Sequence, residues 1–508
     1  MMDTLQALMS GFATSLAPTN LVAALIGAVL GIVIGAIPGL GSVAAIALLL
    51  PLTFNLDPTT AIIMLAAVYY GCMFGGAYSA ILLNIPGDAP AVITAIDGHA
   101  MAKKGQAGKA LFASNYSSFI GGTIGIIILT FLGPRLADLG LLFGPPETAA
   151  LILFALCSIG WLLGENAVRG LAATCVGILL ATIGIGVTFG EPRFTFGTIY
   201  LLNGVSFIPL VIGMFGFCQL LEMMAMRMSG AADPVQLGAV KSLPSRGDFK
   251  DITRPAVQSG ILGTFVGVLP GAGATTASFF SYILERRIGR NRAEMGKGAI
   301  EGVAASESGN NSAAVGSFAP LLSLGIPGSG TSAIMLGGLM MWGLQPGPLL
   351  FQTQPDFVWG LISSMYVGNV LALFAAILII PFLMRILLVP TAILIPLIAV
   401  VCVVAAYSVN GSMFDVWLMI GVGVAAYLMK VAGYPAAPLI LAFVLTPRLE
   451  TSIRQSFDIS NGDPSIFIAS PISIVLLIAI ALIGVMAAIP ALGASLRKPD
   501  LQGSASQG

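Results

Sequence analysis

Charge is what this sequence has least of. Only 9% of its 508 residues are Asp, Glu, Lys or Arg, against 57% hydrophobic residues and a mean hydropathy of +0.98. Soluble globular domains carry nearer a quarter charged residues, so an ordinary soluble fold is excluded and a polytopic membrane protein is expected. The 22 basic and 22 acidic residues cancel, which removes any case for a nucleic-acid partner. Histidine is nearly absent: His99 alone, in a polar Asp-Gly-His stretch, reads as a solvated loop residue. Most metal sites and the Ser/His or Cys/His pairs of an intramembrane enzyme therefore lack parts. The five cysteines, Cys72, Cys157, Cys175, Cys218 and Cys402, lie singly in apolar stretches without CxxC spacing, as small lipid-facing or core residues. No Lys or Arg precedes Lys103, so the basic n-region of a secretory signal is missing.

What the chain does contain is a phrase written twice, Gly35-Ala-Ile-Pro38-Gly39-Leu-Gly41 and Gly267-Val-Leu-Pro270-Gly271-Ala-Gly273. Each interrupts an apolar stretch. Proline removes a backbone donor and clashes with the preceding turn, while glycine accepts backbone angles closed to other residues, so each phrase should break a membrane helix. Residues 21–54 are apolar throughout and, read as one helix, would run about 50 Å at 1.5 Å per residue, against a hydrocarbon core of about 30 Å. A re-entrant hairpin folded at Pro38-Gly39 fits better. Its flanks lack basic residues, which places both ends outside the cytoplasm. Residues 255–284 reverse the sign: Arg227, Lys241, Arg246, Lys250 and Arg254 precede them, and Arg286, Arg287, Arg290, Arg292 and Lys297 follow. That hairpin should enter from the cytoplasm and return to it, facing the first.

A second repeated phrase follows each hairpin. An apolar helix runs into Asn84-Ile-Pro86-Gly87-Asp88 in one case and into Gly325-Ile-Pro327-Gly328-Ser329 in the other. Pro209-Leu-Val-Ile pairs more weakly with Pro438-Leu-Ile-Leu. Three anchors in one order argue for internal duplication. Apolar runs at 59–96, 109–133, 147–164, 169–189 and 203–226 complete the first half. Runs at 300–344, 358–383, 389–408, 413–430 and 434–447 complete the second, with an extra span at 466–492. The expected fold is an all-α polytopic membrane protein of two inverted repeats, each with a re-entrant hairpin and a broken helix, plus scaffold helices. The repeats occupy residues 1–226 and 255–450, joined by a cytoplasmic linker at 227–254. Residues 451–508 hold the extra helix and a polar, disordered tail.

At a helix break the new N-terminus presents unpaired N–H groups and attracts anions, and the new C-terminus presents carbonyls and attracts cations. Small hydroxyl residues follow the breaks: Ser42, then Thr275, Thr276 and Ser278, then Ser329, Thr331 and Ser332. Such side chains can cap a half-helix or bind a carboxylate, and adjacent glycines let a ligand approach the backbone. The expected substrate site therefore comprises Pro38, Gly39, Gly41, Ser42, Asn84, Pro86, Gly87, Asp88, Gly271, Gly273, Thr275, Thr276, Pro327, Gly328, Ser329 and Thr331. A coupling ion is expected at Gly39, Gly271, Asn310, Asn311 and Ser312, the last three being adjacent polar groups read as the start of an apolar helix. Glu307 is read with Asp88 as a carboxylate close to the breaks, either functional or a charge at the cytoplasmic rim. Gly27, Gly31 and Gly35, at GxxxG spacing, are read as a helix contact.

Gly35-Ala-Ile-Pro-Gly-Leu-Gly41, the run from Tyr70 to Gly87, Glu191-Pro-Arg-Phe-Thr-Phe-Gly197 and Gly325-Ile-Pro-Gly-Ser329 together resemble the large membrane subunit of tripartite tricarboxylate transporters, the TctA family. The resemblance covers nearly the whole chain. It implies a multi-pass protein of the bacterial inner membrane that takes up citrate or another carboxylate, driven by a cation gradient, with a small membrane subunit and a periplasmic solute-binding protein. The scarcity of intramembrane carboxylates and histidines favours sodium over a proton as the coupling ion. No other cofactor is expected. A stand-alone organic-anion permease or channel is the alternative.

Overall fold

Apolar runs, prolines at first turns and side-chain caps set where the helices begin. The computed structural model describes residues 2–162, 167–186, 190–229, 242, 244–387, 389 and 391–496. The chain opens with α1 (Met2–Ser15) and continues into α2 (Pro18–Ala36), whose first residue is a proline, tolerated where the helix has no N–H partner to offer. After the break comes α3 (Gly41–Leu49), then α4 (Pro58–Leu83), capped by Asp57, whose carboxylate accepts from Thr59 N at 3.0 Å. Next come α5 (Ala91–Lys103), α6 (Ala107–Gly140), α7 (Pro145–Leu162) and α8 (Ala167–Ala181). Then α9 (Phe207–Val211) passes through a π-helical turn at Ile212–Phe217 into α10 (Cys218–Met228).

The second set begins with α11 (Arg246–Val268), α12 (Gly273–Ile288), α13 (Ile300–Gly316), α14 (Phe318–Leu324) and α15 (Gly330–Met341). It continues with α16 (Leu350–Thr353), α17 (Pro355–Ile386), α18 (Thr391–Asn410), α19 (Met413–Val431), α20 (Ala436–Ile459) and α21 (Pro471–Leu496). Among the described residues the one strand pairing is a two-residue antiparallel pair, β1 (Gly184–Ile185) with β2 (Pro192–Arg193). Among the described residues eight helices are long and apolar enough to cross a membrane.

Three features depart from the sequence expectation. Helix α11 starts at Arg246 rather than 255, because Ser245 and Asp248 form a capping box that lets the helix begin in polar sequence. His99 lies within α5, half-buried, with Nδ1 3.0 Å from the Ile81 carbonyl oxygen; it is a packed helix residue, not a loop residue. Asn310, Asn311 and Ser312 sit well inside α13 rather than at its start, since the helix already begins at Ile300. Much of the proposed linker, with Lys241, and the tail from Arg497 lie outside the described residues.

The core is built on close helix crossings. Glycines of α2 face α4: a Cβ on Gly31 would stand 2.3 Å from the Val68 carbonyl oxygen, and one on Gly75 would stand 2.2 Å from that of Ile32. Backbones this near need glycine, and in a membrane such packing stands in for the missing hydrophobic drive between helices. The same arrangement joins α11 to α13, where Gly263 faces the Gly309 oxygen at 2.3 Å and Gly316 the Thr264 oxygen at 2.4 Å. These are corresponding positions of the two repeated phrases.

Candidate functional site

The two interruptions have one backbone geometry. Helix α2 ends at Ile37 (φ −74°, ψ 119°) and α11 at Leu269 (φ −73°, ψ 126°). Gly39 and Gly41 have φ of 83° and 61°, Gly271 and Gly273 of 80° and 62°, angles that only glycine adopts cheaply. Helix α4 ends in a left-handed Asn84 (φ 57°), and α14 in a left-handed Gly325 (φ 68°). Each hairpin tip is bound to the broken helix that follows it. Gly41 N donates to Gly87 O at 3.1 Å, and Gly271 N to Gly328 O at 3.2 Å.

Where the first hairpin meets the second broken helix, hydroxyl groups pair. Ser42 Oγ lies 3.0 Å from Thr331 Oγ1, and Tyr69 Oη lies 3.2 Å from Ser329 Oγ. Ser329 caps α15: its Oγ accepts from Ser332 N at 3.2 Å, while its own N–H donates to Ser332 Oγ at 2.8 Å. Ser42, Ser329 and Thr331 are all buried. On the other side, Ser278 Oγ donates to Pro90 O at 3.1 Å, tying α12 to the start of α5.

The two hairpins differ electrostatically. Asp88 Oδ2 accepts from Ser42 N at 2.8 Å and Oδ1 from Ala89 N at 2.8 Å, so a carboxylate already neutralises the positive end of α3. At α12 the corresponding place is taken by Ser329, whose Cβ lies 3.9 Å from a Cβ built on Gly273. Among the described residues no carboxylate stands at the first turn of α12.

The remaining expected residues divide. Gly87, Gly271, Pro327 and Gly328 are buried at the contact between tip and break, while Pro38 and Pro86 are half-buried and Gly39 and Asn84 exposed beside it. Thr275 is exposed and Thr276 half-buried. On α13, Asn311 Nδ2 donates to Asn310 Oδ1 at 2.7 Å and to Glu307 O at 3.0 Å, and Ser312 Oγ to Gly309 O at 3.1 Å.

Sequence reasoning missed Tyr69, which gives no signal inside an apolar helix, and Asp97. The Asp97 carboxylate is fully buried and accepts from Tyr282 Oη (2.8 Å) and from the N–H groups of Gly296 (2.8 Å), Gly298 (2.7 Å) and Ala299 (2.9 Å). It clamps the loop between α12 and α13 onto α5. The available clue is a carboxylate directly after the largely apolar run 91–96. Glu307, read as either functional or rim, is buried rather than at a rim: it accepts from Thr94 Oγ1 and from Ser118 Oγ at 3.3 Å.

Paired broken helices whose hydroxyl-bearing ends meet inside an all-helical, membrane-spanning body define a polytopic transport protein, the architecture in which binding sites are made at helix breaks. The chain belongs to the tripartite tricarboxylate transporter TctA family, whose model matches residues 21–441. It is similar to an uncharacterized 52.8 kDa protein in the TAR-I ttuC' 3' region of Agrobacterium vitis, 40% identical over 479 residues, which are 94% of this chain and 95% of that protein. A second Agrobacterium vitis protein, uncharacterized and from the TAR-II ttuC' 3' region, is 42% identical over 215 residues, covering 42% of this chain and 89% of its own length.

Proposed function

We propose that the chain is the large membrane subunit of a tripartite uptake system that carries a carboxylate, tricarboxylate or citrate-like, across the bacterial inner membrane. A cation gradient, sodium in preference to protons, drives it. A periplasmic solute-binding protein delivers the substrate, and a small membrane subunit completes the membrane part. The observation that carries this reading is the meeting of both broken elements at Ser42–Thr331 and Tyr69–Ser329. A carboxylate entering there finds one helix end, α3, already countered by Asp88 and another, α12, without a counter-charge. The substrate carboxylate therefore binds at the first turn of α12, with the hydroxyls of Ser329, Thr331 and Ser42 as donors. The two units are inverted across the membrane, and access alternates as the hairpin contact opens on one face and then the other.

Uptake of labelled carboxylates into proteoliposomes, with the partner subunits and with or without a sodium gradient and binding protein, tests this. Saturable, gradient-dependent accumulation that needs the binding protein is expected. Accumulation without binding protein gives the stand-alone permease, and gradient-independent leak at channel rates gives the channel.

A further inference from the structure

Glu307 is a fully buried acidic residue. It lies on α13, between α5 and α6, and the groups around its carboxylate are hydroxyls and amides. Thr94 Oγ1 donates to Oε1 and Ser118 Oγ to Oε2, while Thr94 Oγ1 also lies 3.0 Å from Ser306 Oγ. Ser114 and Asn310 turn toward the same carboxylate. Among the described residues no Lys, Arg or His pairs with it. Burying a carboxylate without a cation is costly, and two hydroxyl bonds do not offset the loss of water. Two further buried polar atoms are unmatched: Ser114 Oγ and Asn311 Oδ1 make no hydrogen bond, and both side chains are 0% exposed. Every donor here is a hard oxygen, the set a small alkali cation prefers.

We propose that Glu307, with the hydroxyls of Thr94, Ser114 and Ser118 and the amide oxygens of Asn310 and Asn311, binds the sodium ion that drives uptake. This deepens the cation-coupled reading above and rests on it; of the residues expected for the ion it keeps Asn310 and Asn311, and it replaces Gly39, Gly271 and Ser312 by Glu307 and three hydroxyls. The place explains how ion and substrate communicate. Thr94 lies in the first turn of α5, the helix that emerges from the break holding Asp88, and Ser278 fastens Pro90 at that same entry. An ion gripping Thr94 positions α5, and through it the Asp88 cap on α3.

The test reads binding directly, without substrate, partner or gradient, so a failure of uptake leaves it intact and its own failure leaves uptake to be judged separately. Thermal unfolding of the purified full chain in detergent is followed in sodium chloride against choline chloride at constant ionic strength and pH. Sodium should raise the wild-type midpoint saturably, because a ligand that binds only the folded state stabilises it. Glu307→Gln should abolish that rise, while Glu301→Gln on the same helix keeps it. Ser114→Ala removes a single buried hydroxyl facing the Glu307 carboxylate and should weaken half-saturation about tenfold. An undiminished sodium response in Glu307→Gln or Ser114→Ala, or none in the wild type, overturns the site. So does a midpoint that follows acidification in choline and ignores sodium, the signature of a proton.

Discussion

At the scale of single residues, the tightest constraint is Gly87. A Cβ there would stand 1.9 Å from the Gly35 carbonyl oxygen, and backbone atoms on both sides cannot rotate away as a side chain could. Gly87→Ala is therefore expected to cost about 1 to 3 kcal/mol, the range for overpacking a close-packed interior. It should appear as a lower unfolding midpoint in detergent, whereas Gly421→Ala, in a helix with open space around it, leaves the midpoint unchanged or slightly raised. Asp97 makes the opposite kind of claim, since its weight lies in charge rather than space. Asp97→Asn keeps the volume but puts a neutral amide where three N–H groups and Tyr282 converge, and hydrogen bonds to a charged partner are worth about 1.5 to 3 kcal/mol. The expected result is local: faster hydrogen exchange in residues 296–299 than in α13 beyond them. Uniform exchange would show that the clamp is incidental.

At the scale of elements, the hairpins are legible because one Pro-Gly phrase interrupts an apolar stretch twice, whereas a lone proline such as Pro134 or a lone glycine such as Gly31 sits within a helix. The left-handed Asn84 and Gly325 that end α4 and α14 are seen only in the structure. What was not legible lacks any local signature. Helix α1 is short and carries no repeat, and the π-helical turn at Ile212–Phe217 answers to packing against α19 rather than to sequence. The early start of α11 is hidden in the sequence because a capping box makes helical a charged segment that charge alone marks as linker. Of the expected site residues, Ser42 pairs with Thr331 and Ser329 with Tyr69, while Thr275 is exposed. The contact gives an element-level prediction. Ser42→Cys with Thr331→Cys places two thiols where two hydroxyls lie 3.0 Å apart. Oxidation should join the first hairpin to α15 and stop uptake, with recovery on reduction, while either single cysteine, slowed by the loss of one hydroxyl donor, is indifferent to oxidant. Full uptake by the cross-linked protein would mean the contact never opens.

At the scale of the whole molecule, the question is which way each unit faces. The backbone repeats position by position: Gly39 and Gly41 match Gly271 and Gly273 in φ to within a few degrees, and glycine contacts in α2–α4 recur in α11–α13. Internal geometry of this kind is unchanged by turning a unit over, so it carries no information about the membrane. That information comes from charge. The first hairpin is flanked by Asp57 and no basic residue, the second by Arg254 on one side and Arg286, Arg287 and Arg290 on the other. Because basic segments stay in the cytoplasm, the two hairpins enter from opposite faces if the units are inverted and from the same face if they are not. Asn55 and Arg290 are both exposed at hairpin ends, and each can carry a single cysteine without disturbing a cap or a buried contact. Inversion predicts that Asn55→Cys in intact cells reacts with an impermeant maleimide added outside, and that Arg290→Cys reacts only after the membrane is opened. Labelling of both from outside would leave the repeat intact as geometry and remove the facing-hairpin site as a mechanism, since two breaks entering from one side cannot alternate access between two.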